Sequence, residues 1–179
     1  MMFAVTDRLL LRPGWAEDAE KLAARIADEG IVRNLAKAPW PYSLDDARAH
    51  LARMNEGPLP TFLITRRDTA EIVGACGFGY ESSGEIEFGY WIARPHWGQG
   101  YATEAGRAAL DIAKTLGWPR VLGGHFIDNP ASGRVLEKLR FVPTGQRAMR
   151  HSCGRGREDL CELYALELAG DGEVTNVAA

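Results

Sequence analysis

The sequence predicts a single domain of the mixed α/β class, with helices on both faces of a mixed sheet, and three observations support this. The chain has 179 residues, of which 46% are hydrophobic and 25% charged, as is typical of one soluble globular domain. Apolar runs of strand length alternate with segments whose apolar residues recur at helical spacing. Antiparallel neighbours come first and a crossover helix follows, an order that puts both kinds of strand pairing in one sheet.

The first third of the chain predicts one strand and two helices. Residues 6–11 are mostly apolar and form a strand that a Pro-Gly pair ends, because proline has no N–H to donate. Residues 15–27 are rich in alanine, with apolar side chains at helical spacing. The sequence S-L-D-D at residues 43–46 fits a capping box, so a second helix is expected from there to about residue 54.

The middle of the chain predicts three strands. Residues 61–66 and 71–78 are apolar, β-branched runs separated by a polar turn, and we expect them to form a hairpin. Residues 85–92 follow a second turn and form a further strand.

The remaining chain predicts two helices and three strands. Apolar residues recur at helical spacing over residues 101–116, where a Gly-Trp-Pro sequence ends the helix. The later elements are a strand at 121–127, a short helix at 131–139, and closing strands at 144–150 and 159–168. Residues 169–179 are small and polar and predict a flexible tail, which leaves residues 1–168 as the domain.

Composition and charge limit the classes of partner. A net charge of −3 provides no electrostatic basis for binding nucleic acid. Three cysteines without a C-x-x-C pair favour a reducing compartment. With no secretory leader and no apolar run of membrane-spanning length, we expect a cytoplasmic protein with no membrane partner. The histidines are scattered without the spacing of metal ligands, so no metal site is expected.

A glycine-rich turn between a strand and a helix is the strongest functional signal. Pro95 ends the strand, and Gly98 and Gly100 precede the helix. Glycine adopts positive φ cheaply, so backbone N–H groups can converge on one point, where the helix adds its unpaired amides and positive dipole end. This combination predicts an anion site that suits phosphate. The sequence has neither the Gly-Lys-Ser/Thr of a Walker A loop nor the three glycines of a dinucleotide fingerprint.

A second polar turn supports the prediction of a binding site at the first. Asn129 and Ser132 lie where the next strand ends and the last helix begins, and their short polar side chains suit capping. If the two preceding strands are neighbours, both turns open at the same edge of the sheet. One turn can then hold a diphosphate while the other holds a neutral polar chain beside it.

These segments resemble the GNAT superfamily of N-acetyltransferases, and in particular its branch of ribosomal-protein serine/alanine N-terminal acetyltransferases. The resemblance lies in TDRLLLRP at residues 6–13, GYWIARPHWGQGYATEA at 89–105 and NPASGRVLEKLRF at 129–141. It extends over nearly the whole chain to residue 168. It implies a mostly antiparallel sheet that is splayed at the cofactor site, acetyl-CoA as the cofactor and donor, and a primary amine as the acceptor. Dimers are frequent among such proteins, so a homodimer is possible.

The resemblance also implies roles for particular residues. Backbone amides of the turn would hold the acetyl-CoA diphosphate; these belong to Trp97, Gly98, Gln99, Gly100, Tyr101, Ala102 and Thr103. Pantetheine would pair with the exposed strand around Ile92, and Asn129 and Ser132 match further cofactor contacts. Three departures from the family pattern stand out. Trp97 begins the turn where the wider superfamily often has Arg or Gln, a change of little effect because the contact is mainly with the backbone. Leu136 occupies the position where many relatives carry a tyrosine that protonates the departing thiolate, and Arg140 replaces a helix-ending glycine.

Direct acetyl transfer requires an oxyanion donor and a proton acceptor for the amine. The backbone N–H of Ile92 is the candidate donor. Glu87 is the candidate base, because a mid-strand carboxylate is unexpected unless it lines a cleft; a solvated carboxylate on an exposed face is the alternative. His125 is a second candidate base, although a packed histidine fits its strand better. Glu104 is expected to complement the helix dipole.

The acceptor site is the least determined part of the prediction. Trp40, Tyr42 and Tyr90 are the candidate substrate-binding residues, although a rigid aromatic connection between helices explains the first two equally well. The basic residues of 147–157 could attract an acidic acceptor or another subunit, or could be a solvated face. Cys76 is expected to be a core residue rather than a nucleophile.

Three functions compete at this point. The leading one is an acetyl-CoA-dependent N-acetyltransferase acting directly on the primary amine of a peptide N-terminus or a small molecule. The alternative is a non-catalytic acyl-CoA-binding or regulatory module of the same fold. A nucleotide- or phosphate-binding domain is the third, and the pairing of Asn129 with Ser132 argues against it.

Overall fold

The computed structural model describes residues 2–81 and 83–168. Its strands are β1 Ala4–Val5, β2 Leu9–Arg12, β3 Thr61–Arg66, β4 Ile72–Tyr80, β5 Ile86–Ile92, β6 Arg120–Phe126, β7 Val142–Ser152 and β8 Arg157–Glu167. They form one eight-stranded sheet in the order β1-β2-β3-β4-β5-β6-β8-β7. The predicted tail, 169–179, lies outside the described residues.

Helices connect and cover the strands. They are α1 Ala19–Ile26, α2 Glu29–Val32, α3 Leu44–Glu56, α4 Tyr101–Thr115 and α5 Pro130–Lys138, with short 3₁₀ turns at Ala16–Asp18 and Arg94–His96. The predicted capping box is present at the start of α3, where Ser43 accepts from the Asp46 N–H and Asp46 accepts from the Ser43 N–H. Among the described residues, no helix combines the length and the apolar character that a membrane crossing requires.

The first strand, predicted over residues 6–11, is shorter than expected: residues 6–8 form a turn, and the strand β2 begins only at Leu9. The Thr6 N–H donates to the Leu9 carbonyl at 2.9 Å, and the Thr6 hydroxyl accepts from the Leu9 N–H at 2.9 Å. These bonds close a hairpin between β1 and β2, so the expectation of one continuous strand over 6–11 was wrong. Helix α2 was not predicted; the Asp28 side chain caps it by accepting from the Gly30 N–H.

The sheet opens in its middle, as the family resemblance implied. Strand β5 pairs antiparallel with β4 over its whole length, from Ile86 opposite Tyr80 to Ile92 opposite Gly74. Its other neighbour, β6, pairs parallel with it at a single position, Glu87 opposite Leu122. Beyond that position the two strands diverge, which leaves the edge of β5 facing a gap.

One apolar cluster packs on each face of the sheet. One lies under α4 and α5 and contains Phe88 and Ile92 of β5. The other lies under α1, α2 and α3 and contains Trp91. Successive side chains of a strand point to opposite faces, so β5 contributes to both layers and its gap communicates with both.

Candidate active site

The glycine-rich turn lies at one end of the candidate site. Gly98 and Gly100 have φ values of +74° and +80°, conformations that L side chains adopt only with strain. Gly100 is the N-cap of α4, whose first-turn amides have no acceptor within the helix. No heavy atom lies within 4 Å of the position that a Gly98 Cβ would occupy. The turn therefore presents unpaired amides and the positive end of the helix dipole to open space.

Glu104 and Arg8 brace this turn. The Glu104 carboxylate accepts from the Thr6 hydroxyl at 2.6 Å and from the Arg8 N–H and Nε at 2.9 and 2.7 Å, and Arg8 Nη1 donates to the Gln99 carbonyl at 3.0 Å. Burial works against the charged form, but these hydrogen bonds together hold the pKa of Glu104 below its ordinary value. Glu104 thus anchors the helix start to the β1–β2 turn, a role beyond the expected dipole effect.

The exposed edge of β5 presents backbone amides to the gap. The Ala93 N–H donates to the Val73 carbonyl at 2.8 Å. Because neighbouring residues of an antiparallel strand alternate in direction, the backbone groups of Ile92 and Tyr90 point away from β4, into the gap. The Trp97 indole Nε1 donates to the Ile92 carbonyl at 2.6 Å. The Ile92 N–H points into the same gap.

Two cavities meet at this gap. The first, of about 520 Å³, is lined by the predicted cofactor residues Ile92, Trp97, Gly98, Gly100, Tyr101, Ala102, Thr103, Asn129 and Ser132. Gln99 is outside this lining; its amide donates to the Pro95 carbonyl at 3.1 Å. The second cavity, of about 750 Å³, lies on the side of α3, β3 and β4. Both are lined by Leu35, Ala36, Glu87, Gly89, Tyr90, Trp91, Arg150 and His151.

Glu87 lies where the cavities meet, with a partner that the sequence did not reveal. Arg150 Nη1 donates to Glu87 Oε1 at 2.6 Å, and Arg150 Nη2 lies 3.3 Å from Glu81 Oε1. The Glu87 side chain is 25% exposed, so it is not a solvated carboxylate on an open face. Burial raises the pKa of Glu87 above its ordinary value, and Arg150 opposes that rise.

The basic hairpin residues are paired with carboxylates. Arg147 lies 3.7 Å from Glu162, and Arg157 lies 3.1 Å from Asp159. Arg150 binds Glu87 as described, and Arg155 binds Asp128 and Asp159 at 2.7 and 2.8 Å. The hairpin is therefore not a free basic surface for an acidic acceptor, because its positive charge is largely balanced locally.

Arg155 locks the hairpin tip onto the segment between α2 and α3. Its side chain is 4% exposed and donates to the Arg33 carbonyl at 2.7 Å and to the Asn34 side chain at 3.1 Å. The Ser152 hydroxyl donates to the Leu35 carbonyl at 2.8 Å, and the Cys153 N–H donates to the Ala36 carbonyl at 3.0 Å. These bonds position residues 35 and 36, which line both cavities. Sequence reasoning missed them.

The turn at the start of α5 differs from the prediction. The Asn129 side chain makes no capping hydrogen bond, so that expectation was wrong; its backbone carbonyl accepts from the Ser132 N–H at 3.1 Å. The Ser132 hydroxyl accepts from the Tyr90 hydroxyl at 3.0 Å across the gap. His125 is buried, with Nδ1 2.8 Å from the Phe126 carbonyl oxygen and Nε2 3.6 Å from Glu162, as a packed histidine would be.

The three aromatic residues predicted to bind the acceptor differ in whether they line a cavity. Trp40 is 43% exposed and is not among the residues lining either cavity. Tyr42 lines the second cavity, where burial and then the nearby Asp46 raise its pKa to about 12. Tyr90 lines both cavities.

The buried thiols are poor nucleophiles. Cys76 lies in the core, where burial raises its pKa to about 12. Cys161 lines the first cavity, and burial raises its pKa to about 11. Both thiols therefore stay protonated near neutral pH. Within residues 2–81 and 83–168, no group of three or more His, Cys, Asp and Glu side chains is arranged to hold a metal ion.

Three cations beside the first cavity were also missed. Arg134 and Lys138 line it from α5, and Arg8 Nη2 lies 3.6 Å from the position of a Gly100 Cβ. Arg134 and Lys138 are four residues apart, so helical spacing after Ser132 could have identified them. Local spacing could not identify Arg8, because it lies in the β1–β2 turn, 91 residues before Gln99, whose carbonyl it contacts.

An open mixed sheet with a glycine-rich turn at its gap and a cavity on each side is the arrangement that the acyl-transferring class of enzyme was expected to have. The family model described as an acetyltransferase (GNAT) domain matches residues 8–142. The chain belongs to this family, and it is an acetyltransferase.

Curated and solved relatives agree with this membership. The chain is similar to the uncharacterized N-acetyltransferase p20 of Bacillus licheniformis, with 31% identity over 147 residues that cover 78% of this chain and 82% of that protein. The GNAT-family acetyltransferase from Bacillus anthracis has a TM-score of 0.80 at 21% identity, covering 93% and 99% of the two chains. RimL, a ribosomal L7/L12 alpha-N-protein acetyltransferase in complex with coenzyme A, has a TM-score of 0.76 at 20% identity, covering 93% and 98%.

Proposed function

We propose that this protein transfers the acetyl group of acetyl-CoA directly to a primary amine while donor and acceptor are bound together. The observation that carries the proposal is the meeting of two cavities at the gap beside β5. A donor in the first cavity and an amine in the second can approach each other there without a covalent enzyme intermediate. Holding both reactants in this way replaces a bimolecular encounter with a positioned one.

The first cavity suits coenzyme A along its whole length. We place the diphosphate on the amides of residues 98–103, because the N–H of Trp97, the first residue of the predicted set, already donates to the Arg94 carbonyl at 3.2 Å. Arg8 lies beside the turn, and Arg134 and Lys138 of α5 are available to further phosphate oxygens. The neutral pantetheine chain would run along β5 past Asn129 and Ser132 toward Ile92. The coenzyme A bound to RimL supports this choice of cofactor.

Strand β5 would supply two chemical groups to the reaction, a backbone N–H and a carboxylate. The Ile92 N–H would stabilise the negative oxygen of the tetrahedral intermediate. Glu87 would receive the proton of the attacking amine, directly or through water. Arg150 binds Oε1 of this carboxylate, so we assign proton acceptance to Oε2.

The second cavity limits the acceptor to an amine with a partly apolar body. Aromatic rings of Phe62, Phe78 and Trp91 line it, while the carboxylates of Glu81 and Glu87 are paired with Arg150. We infer that the acceptor is a protein N-terminus or a small-molecule amine. The likeness to RimL favours an N-terminal acceptor of the ribosomal-protein type. We place the reaction in the cytoplasm, where the three free cysteines stay reduced.

Binding and turnover test this proposal separately. Thermal unfolding is measured with acetyl-CoA, ATP and NAD, and free thiol release is then followed over a panel of small amines and N-terminal peptides. We expect acetyl-CoA alone to raise the melting temperature and at least one amine to release thiol. No stabilisation by acetyl-CoA would contradict the cofactor assignment. Stabilisation without release on any amine would favour the non-catalytic acyl-CoA-binding module.

A further inference from the structure

The departing group of the proposed reaction needs a proton from a side chain at the gap. When the amine attacks the thioester carbonyl, a C–N bond forms and the C–S bond then breaks, so its electron pair stays on sulfur. The amine proton leaves toward Glu87, on the acceptor side. A thiolate that is partly removed from water is costly unless a neighbouring acid protonates it or donates a hydrogen bond to it.

Tyr90 is the phenol placed to supply this proton. Of the described tyrosines, Tyr42 and Tyr80 line only the second cavity and Tyr101 only the first, whereas Tyr90 lines both. Its ring extends from β5 to the start of α5, where its hydroxyl is 3.0 Å from Ser132 Oγ. Leu136, farther along α5, lines the first cavity but carries no proton to donate.

The two faces of β5 separate the acid from the base. Glu87 and Trp91 are an even number of residues apart and share a face, and Trp91 belongs to the cluster under α1, α2 and α3. Tyr90 shares the opposite face with Phe88 and packs against the cluster under α4 and α5. A proton acceptor therefore faces the amine while a proton donor faces the cofactor.

We propose that Tyr90 is a catalytic residue whose phenol protonates the sulfur of the departing coenzyme A, supported by the hydroxyl of Ser132. This inference rests on the proposed function. In the structure the Tyr90 O–H donates to Ser132 Oγ; with coenzyme A bound it turns to the sulfur, and its proton moves there and completes the free thiol. Ser132 then turns its own proton toward the phenolate oxygen, and solvent returns a proton to Tyr90 before the next turnover. Burial raises the pKa of Tyr90, against a smaller effect of Ser132, so the phenol is protonated at neutral pH.

Titration of bound coenzyme A tests this inference without knowing the acceptor. The ultraviolet absorbance of the thiolate is followed against pH for coenzyme A bound to the wild type, Tyr90→Phe and Ser132→Ala. Tyr164→Phe is the matched control, because Tyr164 is a buried tyrosine on β8 that lines neither cavity. Loss of the hydrogen bond to sulfur in Tyr90→Phe should raise the pKa of the bound thiol by about one unit, a tenfold change in its acid dissociation constant. Tyr164→Phe should leave it unchanged.

Turnover with an accepted amine completes the test. We expect Tyr90→Phe to lower kcat about 100-fold, with little change in the KM for acetyl-CoA, and Ser132→Ala to lower kcat less. Coenzyme A that binds wild type and Tyr90→Phe with the same thiol pKa would overturn the inference alone, as would an unchanged kcat. Failure of the wild type to bind coenzyme A would overturn the proposed function as well. Thermal unfolding of each variant separates these results from misfolding.

Discussion

A substitution at Gly98 separates backbone strain from ligand contact. Gly98→Ala puts a methyl group on a residue whose φ is +74°, and the first cavity begins at that position. Gly117 at the other end of α4 has the same φ of +74°, and neither position has a heavy atom within 4 Å of an added Cβ. Gly117 does not line the first cavity. The pair therefore carries equal strain, and only one member can touch the cofactor.

The expected magnitudes follow from this geometry. A left-handed conformation costs a non-glycine residue about 1–2 kcal/mol. In a chain of this size that lowers the melting temperature by roughly 2–8 °C in both variants. At Gly98 the methyl group also crowds the amides that would bind the diphosphate. Loss of one charge-assisted hydrogen bond, about 1.5–3 kcal/mol, weakens acetyl-CoA binding by about 10- to 100-fold.

Calorimetric titration with acetyl-CoA and thermal unfolding measure the two effects independently. Gly117→Ala should bind acetyl-CoA as the wild type does while it melts earlier. Wild-type affinity in Gly98→Ala would refute the placement of the diphosphate at this turn. An equal loss of affinity in both variants would assign the effect to strain transmitted through the helix rather than to contact.

Three further substitutions probe the gap and the hairpin. Glu87→Gln should lower kcat about 100-fold and leave acetyl-CoA affinity intact. A base loses activity as the pH falls through its pKa, so the acid limb of the wild-type pH–rate profile should disappear in this variant. Persistence of that limb would exclude Glu87 as the base. Arg150→Gln removes the cation that opposes the raised pKa of Glu87, so the acid limb should move to higher pH, and a move to lower pH would contradict this pairing. Arg155→Met should lower the melting temperature by about 4–8 °C, whereas Arg157→Met, at a side chain 70% exposed, should change it little; equal effects in thermal unfolding would show that Arg155 does not fasten the hairpin.

The regular elements and the anion-binding turn could be predicted because their signals are local. The capping box located α3 and apolar spacing located α4, each to within a few residues. The positive φ of Gly98 and Gly100 agrees with the choice of glycine at those positions. The mixed sheet followed from the order of strands and helices. The fold and the backbone conformation of the glycine-rich turn were therefore accessible from sequence.

The acceptor end was not accessible because its contacts join distant parts of the chain. Arg150 reaches Glu87 across 63 residues, and Ser152 reaches the Leu35 carbonyl across 117 residues. No local spacing encodes such pairs. The local rule at Asn129 also failed, since a residue suited to capping left its helix uncapped by its side chain. Side-chain type alone does not determine which hydrogen bond a polar residue makes at a gap in a sheet.

The single β5–β6 pair, Glu87 opposite Leu122, makes the gap the place where the sheet opens most easily. Strands β3, β4 and β5 follow one another along the chain and pair as neighbours, while β6, β7 and β8 form a second paired group. Between these groups the sheet has one backbone pair. The groups are also joined by packing of α4 against Leu139, where Gly106 lies close, and by the side-chain bonds from Arg150 to Glu87 and from Tyr90 to Ser132. Opening between the groups breaks few backbone hydrogen bonds and so costs less than opening within either group. A ligand in the gap would hydrogen-bond to the free edge of β5 as a neighbouring strand does. Its departure would leave that edge unpaired again and lower the cost of local opening there.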